Sequence, residues 1–274
     1  MKYNKEKIIT LLIAATLIFS LFTIYAYSAK IPEMKLSAKA AALYDLQNES
    51  FVFSKNEHAR LPMASTTKIM TAIVTIENSS LDKTVTVDDR AIGIEGSSIY
   101  LTKGETLSIE DLLYALMLRS ANDAASALAY EISGSVEDFA LLMNNKARSL
   151  GLSNTNFENP HGLDSKNHYT SAHDLAIICA YAMRLPEFVE ICSTHKKEIV
   201  SSSQTRILLN HNKLLSMYED CIGIKTGYTK KSGRSLASAA EKDGKTLICV
   251  TINAPDDWND HKKLYNYGFS SPYA

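Results

Sequence analysis

Ser65 and Lys68, in "ASTTKIMTA", stand three residues apart at the head of an apolar run. A serine hydroxyl is a weak nucleophile until a base takes its proton, and a lysine serves as that base only when neutral. Residues three apart on a helix share a face, so both side chains can point into one site. For the amine to be neutral near pH 7, its pKa must come down from about 10.4, at a cost of about 4 kcal/mol. Burial supplies part of that, and a second cation nearby supplies more. Two other stretches could complete such a site. Ser120 and Asn122, in "LRSANDAA", offer a hydroxyl for proton relay and an amide for hydrogen bonding; Lys225, Thr226 and Gly227, in "CIGIKTGYT", offer a second cation, a hydroxyl and a residue without a side chain.

Spacing alone does not single these residues out. Ser80/Lys83 and Ser193/Lys196 repeat the first pattern, and Ser165-Lys166-Asn167 repeats the second. Ser80 falls in a polar connection and Ser193 in the solvated "STHKKE", whereas Ser65 begins an apolar helix. Lys-Thr-Gly occurs once, directly after an apolar segment.

The elements that must hold these side chains are legible as periodicities. Ile69, Met70, Ile73, Val74 and Ile76 predict a buried helix over 66–77, with Ser65, Thr66 and Thr67 supplying N-cap chemistry. A capping pattern from Ser108 to Asp111 opens a second helix that should stop near Arg119, because Ser120, Asn122 and Asp123 favour turns. An alanine-rich helix resumes behind them, so Ser120-Ala121-Asn122 is expected at an exposed corner. Ser171 to Asp174 caps a further helix. Upstream, Ala42 and Tyr44 face Phe51 and Phe53 across Gln47-Asn48-Glu49, which reads as a hairpin. Downstream, "CIGIKTGYT", "RSLASAA" and "TLICVTINA" read as adjacent antiparallel strands, with Gly227 admitting a ligand backbone closely. The last amphipathic helix should turn Trp258, Leu264 and Tyr265 inward. Strands at both ends and helices between them predict an α/β (α+β) fold, an antiparallel sheet flanked by helices with an inserted helical lobe.

A 274-residue chain that is 46% hydrophobic suffices for one large domain or two small ones with a real core, and a net charge of −1 gives no reason to expect a nucleic-acid partner. The four cysteines are scattered, without the C-x-x-C pairs of zinc or redox sites. At the N-terminus, Lys2, Lys5 and Lys7 precede an apolar stretch from Ile8 to about Ala26, the pattern of an export signal. Ala26-Tyr27-Ser28 offers a cleavage site, yet the stretch is long enough to remain as a membrane anchor. Both readings stand, and either assigns residues 1–29 to export and residues 30–274 to a domain working outside the cytoplasm.

In this order and on these elements, the three motifs resemble the serine-lysine, serine-x-asparagine and lysine-threonine-glycine set of penicillin-binding proteins and serine β-lactamases. "ASTTKIMTA", "LRSANDAA", "NPHGLD" with "YTSAHDLA", and "IKTGYTKKSGRSLASAA" are more closely similar to the low-molecular-mass D-alanyl-D-alanine carboxypeptidases, over roughly residues 38–270. The resemblance implies a β-lactamase/transpeptidase-like fold with Ser65 as acylated nucleophile and Lys68 as general base. Ser120 would relay a proton, and Asn122 would grip the substrate's peptide amide. Lys225 would lower the pKa of Lys68 and, with Thr226, help bind the terminal carboxylate, with Gly227 also part of the substrate site; the N–H groups of Ser65 and Tyr228 would form the oxyanion hole. It implies peptidoglycan stem peptides ending in D-Ala-D-Ala as substrates, β-lactams as covalent inhibitors, and no metal or other cofactor.

One departure bears on specificity. Some relatives carry a carboxylate-recognising arginine before the last helix, where this chain reads "NAPDDWNDHKK". Asp256 and Asp257 cannot take that role, which passes to Lys225 or, less strongly, to Arg234 or Lys262. A β-lactamase is the nearest rival and would need a general base for deacylation, for which Glu158 is the candidate. A non-catalytic wall-binding or sensor protein of the same fold is the rival from another class. His161, His168 and His173 are expected to be structural and not metal ligands.

Overall fold

The central sheet draws its strands from the two ends of the folded chain, as the alternation of apolar residues there predicts. In the computed structural model, which describes residue 7, residues 12–16 and residues 34–270, the strands are β1 (Ala40–Asp45) and β2 (Ser50–Lys55) near the start. Later come β7 (Cys221–Thr229), β8 (Gly233–Lys242) and β9 (Lys245–Ile252). They run antiparallel in the order β2-β1-β9-β8-β7, so the hairpin expected around Gln47-Asn48-Glu49 forms and its first strand pairs with the last. Two short ribbons lie between, β3 (Thr84–Thr86) with β4 (Thr106–Ser108) and β5 (Lys196–Val200) with β6 (Thr205–Leu209). The chain divides into two units, Met1–Lys35 and Leu36–Ala274. In the first, residue 7 and residues 12–16 are helical; the rest of the export segment lies outside the described residues. No helix among the described residues is long and apolar enough to cross a membrane.

The helices are α1 (Thr67–Asn78), α2 (Ile109–Leu118), α3 (Asn122–Ser133), α4 (Val136–Ser149), α5 (Ala172–Ala182), α6 (Pro186–Ser193), α7 (Leu214–Met217) and α8 (Asp257–Ser270). Alternation decides what each sheet face meets. Ala40, Ala42, Ala237, Ala239, Ile248 and Val250 join the large core shared with α1 to α6. Leu43 and Leu247 face the other way, against α8, so closely that a methyl on Gly268 would meet both within 2.7 Å. This is the sheet flanked by helices that the sequence predicts. The caps hold too: Ser108 Oγ accepts the Asp111 N–H at 3.0 Å and Ser171 Oγ accepts the Asp174 N–H at 3.1 Å, satisfying helix N–H groups that have no partner inside the helix.

The first helix starts differently from expectation. A 3₁₀ turn over Ala64–Thr66 precedes α1, and no side chain caps it. The Thr66 and Thr67 hydroxyls instead donate backwards, to Met63 O at 2.6 Å and Ala64 O at 2.8 Å. They tighten the turn that carries Ser65 and do not accept helix N–H groups. Trp258 also departs: Leu264 and Tyr265 are fully buried under the sheet, but Trp258, one residue into α8, stays half-buried beside the cleft described below.

Candidate active site

Ser65 sits on the turn leading into α1, and the lysine one turn on is wholly buried. Lys68 Nζ donates to Asn122 Oδ1 at 2.7 Å and to His161 O, and it lies 3.1 Å from Ser65 Oγ. Asn122 Oδ1 and His161 O can only accept, so they take two N–H bonds of the amine. The position left over faces Ser65: in the neutral amine that position is the lone pair, ready for the serine proton. Burial pushes the Lys68 pKa well below the ordinary lysine range, and the charge of Lys225 pushes it further, against a smaller opposite pull from Asp123.

The turn is held from several sides. Ala64 adopts a left-handed conformation (φ 48°), and its carbonyl lies where a Cβ on Gly162 would be 2.0 Å away. His168 Nδ1 accepts the Glu158 N–H at 3.0 Å, which leaves Nε2–H to donate to Thr67 Oγ1 at 2.7 Å. Burial keeps this imidazole neutral, with a pKa near 4. His161 serves through its backbone carbonyl, and His173 stacks on Phe51 at 4.5 Å, away from the cleft lining. All three histidines thus make contacts within the protein. Among the described residues no group of three or more His, Cys, Asp or Glu is placed to hold a metal ion.

Ser120 and Asn122 come from the corner between α2 and α3, which is buried and not exposed as expected: they are 6% and 5% accessible. Loop 95–101 covers it. Asn122 N donates to Ser97 O at 2.7 Å and its Nδ2 donates to Glu95 O at 2.5 Å, while Asp123 accepts the Ile99 and Leu101 N–H groups. Asn122 is engaged at both ends of its amide, so it orients Lys68; a contact to a peptide would require Nδ2 to leave Glu95 O. Ser120 is in the left-handed region (φ 59°) and lines the cleft, and its hydroxyl has no hydrogen-bond partner among the described residues.

β7 forms the edge of the sheet along this cleft. A Cβ on Gly227 would lie 3.1 Å from Ser65 N and 3.2 Å from Met63 O, so the residue lets the strand approach the nucleophile's own turn and not, as expected, a ligand backbone. Tyr228, next along the strand, is thereby placed close to the turn that carries Ser65. Lys225 is buried at 1% accessibility, donates to Thr226 O at 3.2 Å and is absent from the cleft lining. Burial brings its pKa to about 7. It sits behind the site and is not open to a carboxylate. Thr226 and Tyr228 do line the cleft, a cavity of about 510 Å³ that also meets Ser65, Ser120, Lys213 and Arg234.

Arg234 is the residue that sequence reasoning undervalued. Its register partner on β7 is Tyr228, and its Nε and Nη2 donate to Asp257 Oδ1 at 3.0 and 2.8 Å. Glu158, the candidate deacylation base, is tied into its own loop by the Ser165 hydroxyl and the Asn167 N–H, and those bonds lower its pKa.

Comparison with known proteins shows the family. Residues 26–256 match the family model described as D-alanyl-D-alanine carboxypeptidase. The carboxypeptidase DacF of Bacillus subtilis is 34% identical over 87% of this chain, and this chain spans 64% of that protein's length. A Streptomyces D-alanyl-D-alanine carboxypeptidase is 34% identical, with 80% of this chain and 82% of that one covered. Among solved structures, a D-alanyl-D-alanine carboxypeptidase from Mycobacterium tuberculosis superposes with a TM-score of 0.85 at 28% identity, covering 89% of this chain and 96% of the other. A Streptomyces DD-transpeptidase does so with a TM-score of 0.82 at 30% identity, covering 88% and 100%. With the serine, the buried lysine pair and the edge strand arranged as above, the chain belongs to the D-alanyl-D-alanine carboxypeptidase family of serine peptidases.

Proposed function

We propose that this protein is an exported serine D-Ala-D-Ala carboxypeptidase that trims the terminal D-alanine from peptidoglycan stem peptides. Residues 1–29 direct export, as cleaved signal or retained anchor, and residues 30–274 carry the chemistry. The observation that carries the reading is the hydrogen bonding of Lys68: two acceptors fix the amine and the remaining position meets Ser65 Oγ at 3.1 Å.

Neutral Lys68 takes the Ser65 proton as Oγ attacks the carbonyl of the penultimate D-alanine. The developing oxyanion is received by the N–H groups of Ser65 and Tyr228. The proton passes from Lys68, through Ser120, to the leaving nitrogen, D-alanine departs, and the acyl-enzyme on Ser65 remains. Water then adds to the ester carbonyl as Lys68 takes its proton; the acyl C–Oγ bond breaks, Lys68 returns the proton to Ser65 Oγ, and the shortened peptide leaves with a new terminal carboxyl group. β-Lactams acylate the same oxygen. The engagement of Glu158 within its loop argues against fast deacylation of such adducts.

D-Alanine release from a D-Ala-D-Ala peptide is expected from the wild type and not from Ser65→Ala. Lys68→Arg, whose guanidinium stays protonated, should slow acylation by penicillin about 10³-fold. Peptide mapping of the penicillin adduct should find it on Ser65. An adduct on Ser80 or Ser193, or release by Ser65→Ala, sinks the reading.

A further inference from the structure

We propose that the substrate's terminal carboxylate is read by Arg234, held ready by Asp257 and Trp258 of α8. The inference rests on the carboxypeptidase reading and assigns a specificity residue within it.

A peptide cut next to its C-terminus brings a carboxylate into the cleft, and a preorganised cation there fixes the register of the scissile bond. Lys225 is buried, spends a hydrogen bond on Thr226 O and lies behind the lining. Lys262, on the last helix, is also absent from the lining. Lys213 and Arg234 do reach the cleft. Lys213 is exposed, and no hydrogen bond or ion pair fixes its ammonium among the described residues.

Arg234 is different. Both Nε and Nη2 donate to one oxygen, Asp257 Oδ1, which also accepts the Trp258 N–H at 3.0 Å. Asp257 is the first residue of α8 and 3% accessible, so the helix N-terminus offsets part of its charge and the guanidinium is not simply neutralised. The Trp258 ring lies 5.6 Å from the Arg234 carbon at its centre, limiting the side chain from another direction. Nη1 has no partner among the described residues, and the side chain is 43% accessible. The fork is thus anchored on one edge and open on the other, the form suited to a carboxylate.

Position on the sheet agrees. Arg234 pairs with Tyr228 and Leu236 with Thr226, so Arg234 is the diagonal neighbour of Thr226 on the same face. Such a diagonal spans about 7–8 Å, which an arginine side chain covers. A carboxylate accepting from the Thr226 hydroxyl therefore lies within reach of the open edge, two residues along the strand from Tyr228. The "NAPDDWNDHKK" segment does not lack the function of an arginine at its head; it supplies the aspartate that aims one from the neighbouring strand.

The test compares a diacyl-L-Lys-D-Ala-D-Ala peptide with its C-terminal carboxamide on wild type, Arg234→Gln and Arg234→Lys. The ratio of kcat/KM, acid over amide, should fall about 10- to 100-fold in Arg234→Gln, mostly through KM, with partial recovery in Arg234→Lys. Full-stoichiometry acylation by penicillin given long incubation shows that each variant retains its folded site. An unchanged acid-to-amide ratio in a variant so acylated overturns the assignment of Arg234 and leaves the carboxypeptidase reading standing. Absence of D-alanine release by the wild type overturns both.

Discussion

Arg206, whose side chain is 9% accessible, and the fully buried Lys68 are both cations drawn out of solvent, and the fold treats them in opposite ways. Arg206 reaches from β6 to loop 99–105, where its guanidinium meets both carboxylate oxygens of Glu105 at 2.5 and 3.0 Å and also donates to Ile99 O. Burial raises the Glu105 pKa, but the bonds from Arg206 and its neighbours outweigh that and hold it at about 2. Lys68 has no carboxylate. The nearby Asp123 spends its oxygens on Ser98 Oγ and on the N–H groups of loop residues, and its pull on the ammonium is weaker than the effects of burial and of Lys225. The second lysine, Lys225, is equally unpaired and pushes the first toward neutrality. A chain that pairs a buried cation in one region and withholds the partner in another shows where charge is used for structure and where for reactivity.

Breaking the paired side should have the largest effect on stability. Glu105→Gln leaves the Arg206 guanidinium buried beside a neutral amide, and loss of one partner of a buried pair destabilises by about 3–5 kcal/mol. The fall in the denaturant midpoint would report it. A drop under about 1 kcal/mol would mean that Arg206 finds solvent, and the contrast with Lys68 would then be one of exposure and not of pairing.

On the unpaired side the sign reverses. The Lys225 pKa is about 7 in the folded chain and about 10.4 in the unfolded one, so between those values the unfolded state binds more protons and stability rises with pH. Below pH 7 both states are charged and the full penalty of burying the ammonium persists; above about pH 10.4 both are neutral and it disappears. Lys225→Met removes that penalty. The variant should be more stable than wild type by about 2–4 kcal/mol at pH 7, with the gain shrinking as pH rises toward 10, while acylation of Ser65 slows. Equal gains at pH 7 and pH 10 would exclude a charge effect.

The difference between the two regions explains what was legible in the sequence. Ser65, Lys68, Ser120 and the Lys225-Thr226-Gly227 strand could be read because helix period, capping pairs and an apolar strand assign each to a local element. The hairpin and the Ser108 and Ser171 caps were legible for the same reason. What lay beyond reading were contacts distant in sequence. Nothing local says that loop 95–101 folds over Ser120 and Asn122, turning an apparently exposed corner into a buried one. The chain Glu158–His168–Thr67 that steadies the nucleophile's turn links residues 101 positions apart, and Gly227 meets Ser65 and not a ligand because the sheet edge packs on that turn. A local signal did exist for Arg234: an arginine on the strand after Lys225-Thr226-Gly227 falls, for a short hairpin, opposite the residue following the glycine.

The pair of Arg234 and Asp257 lies between the two extremes, and it gives the smallest and most discriminating effect. Asp257 is buried while Arg234 is half exposed, so the ion pair contributes little to stability, about 1 kcal/mol or less. Asp257→Asn keeps an oxygen able to accept from Arg234 and from the Trp258 N–H, so the fold and the cap survive while the charge that draws the guanidinium to one side is lost. Stability should change by less than about 1 kcal/mol. KM for the acid peptide should rise a few-fold, about the effect of loosening one charge-assisted hydrogen bond without removing it, with kcat little altered. A tighter KM would point the other way: Asp257 would then be a competitor that holds Arg234 from the substrate. In that case this pair would resemble Arg206 and Glu105, a cation whose charge is used up by its partner.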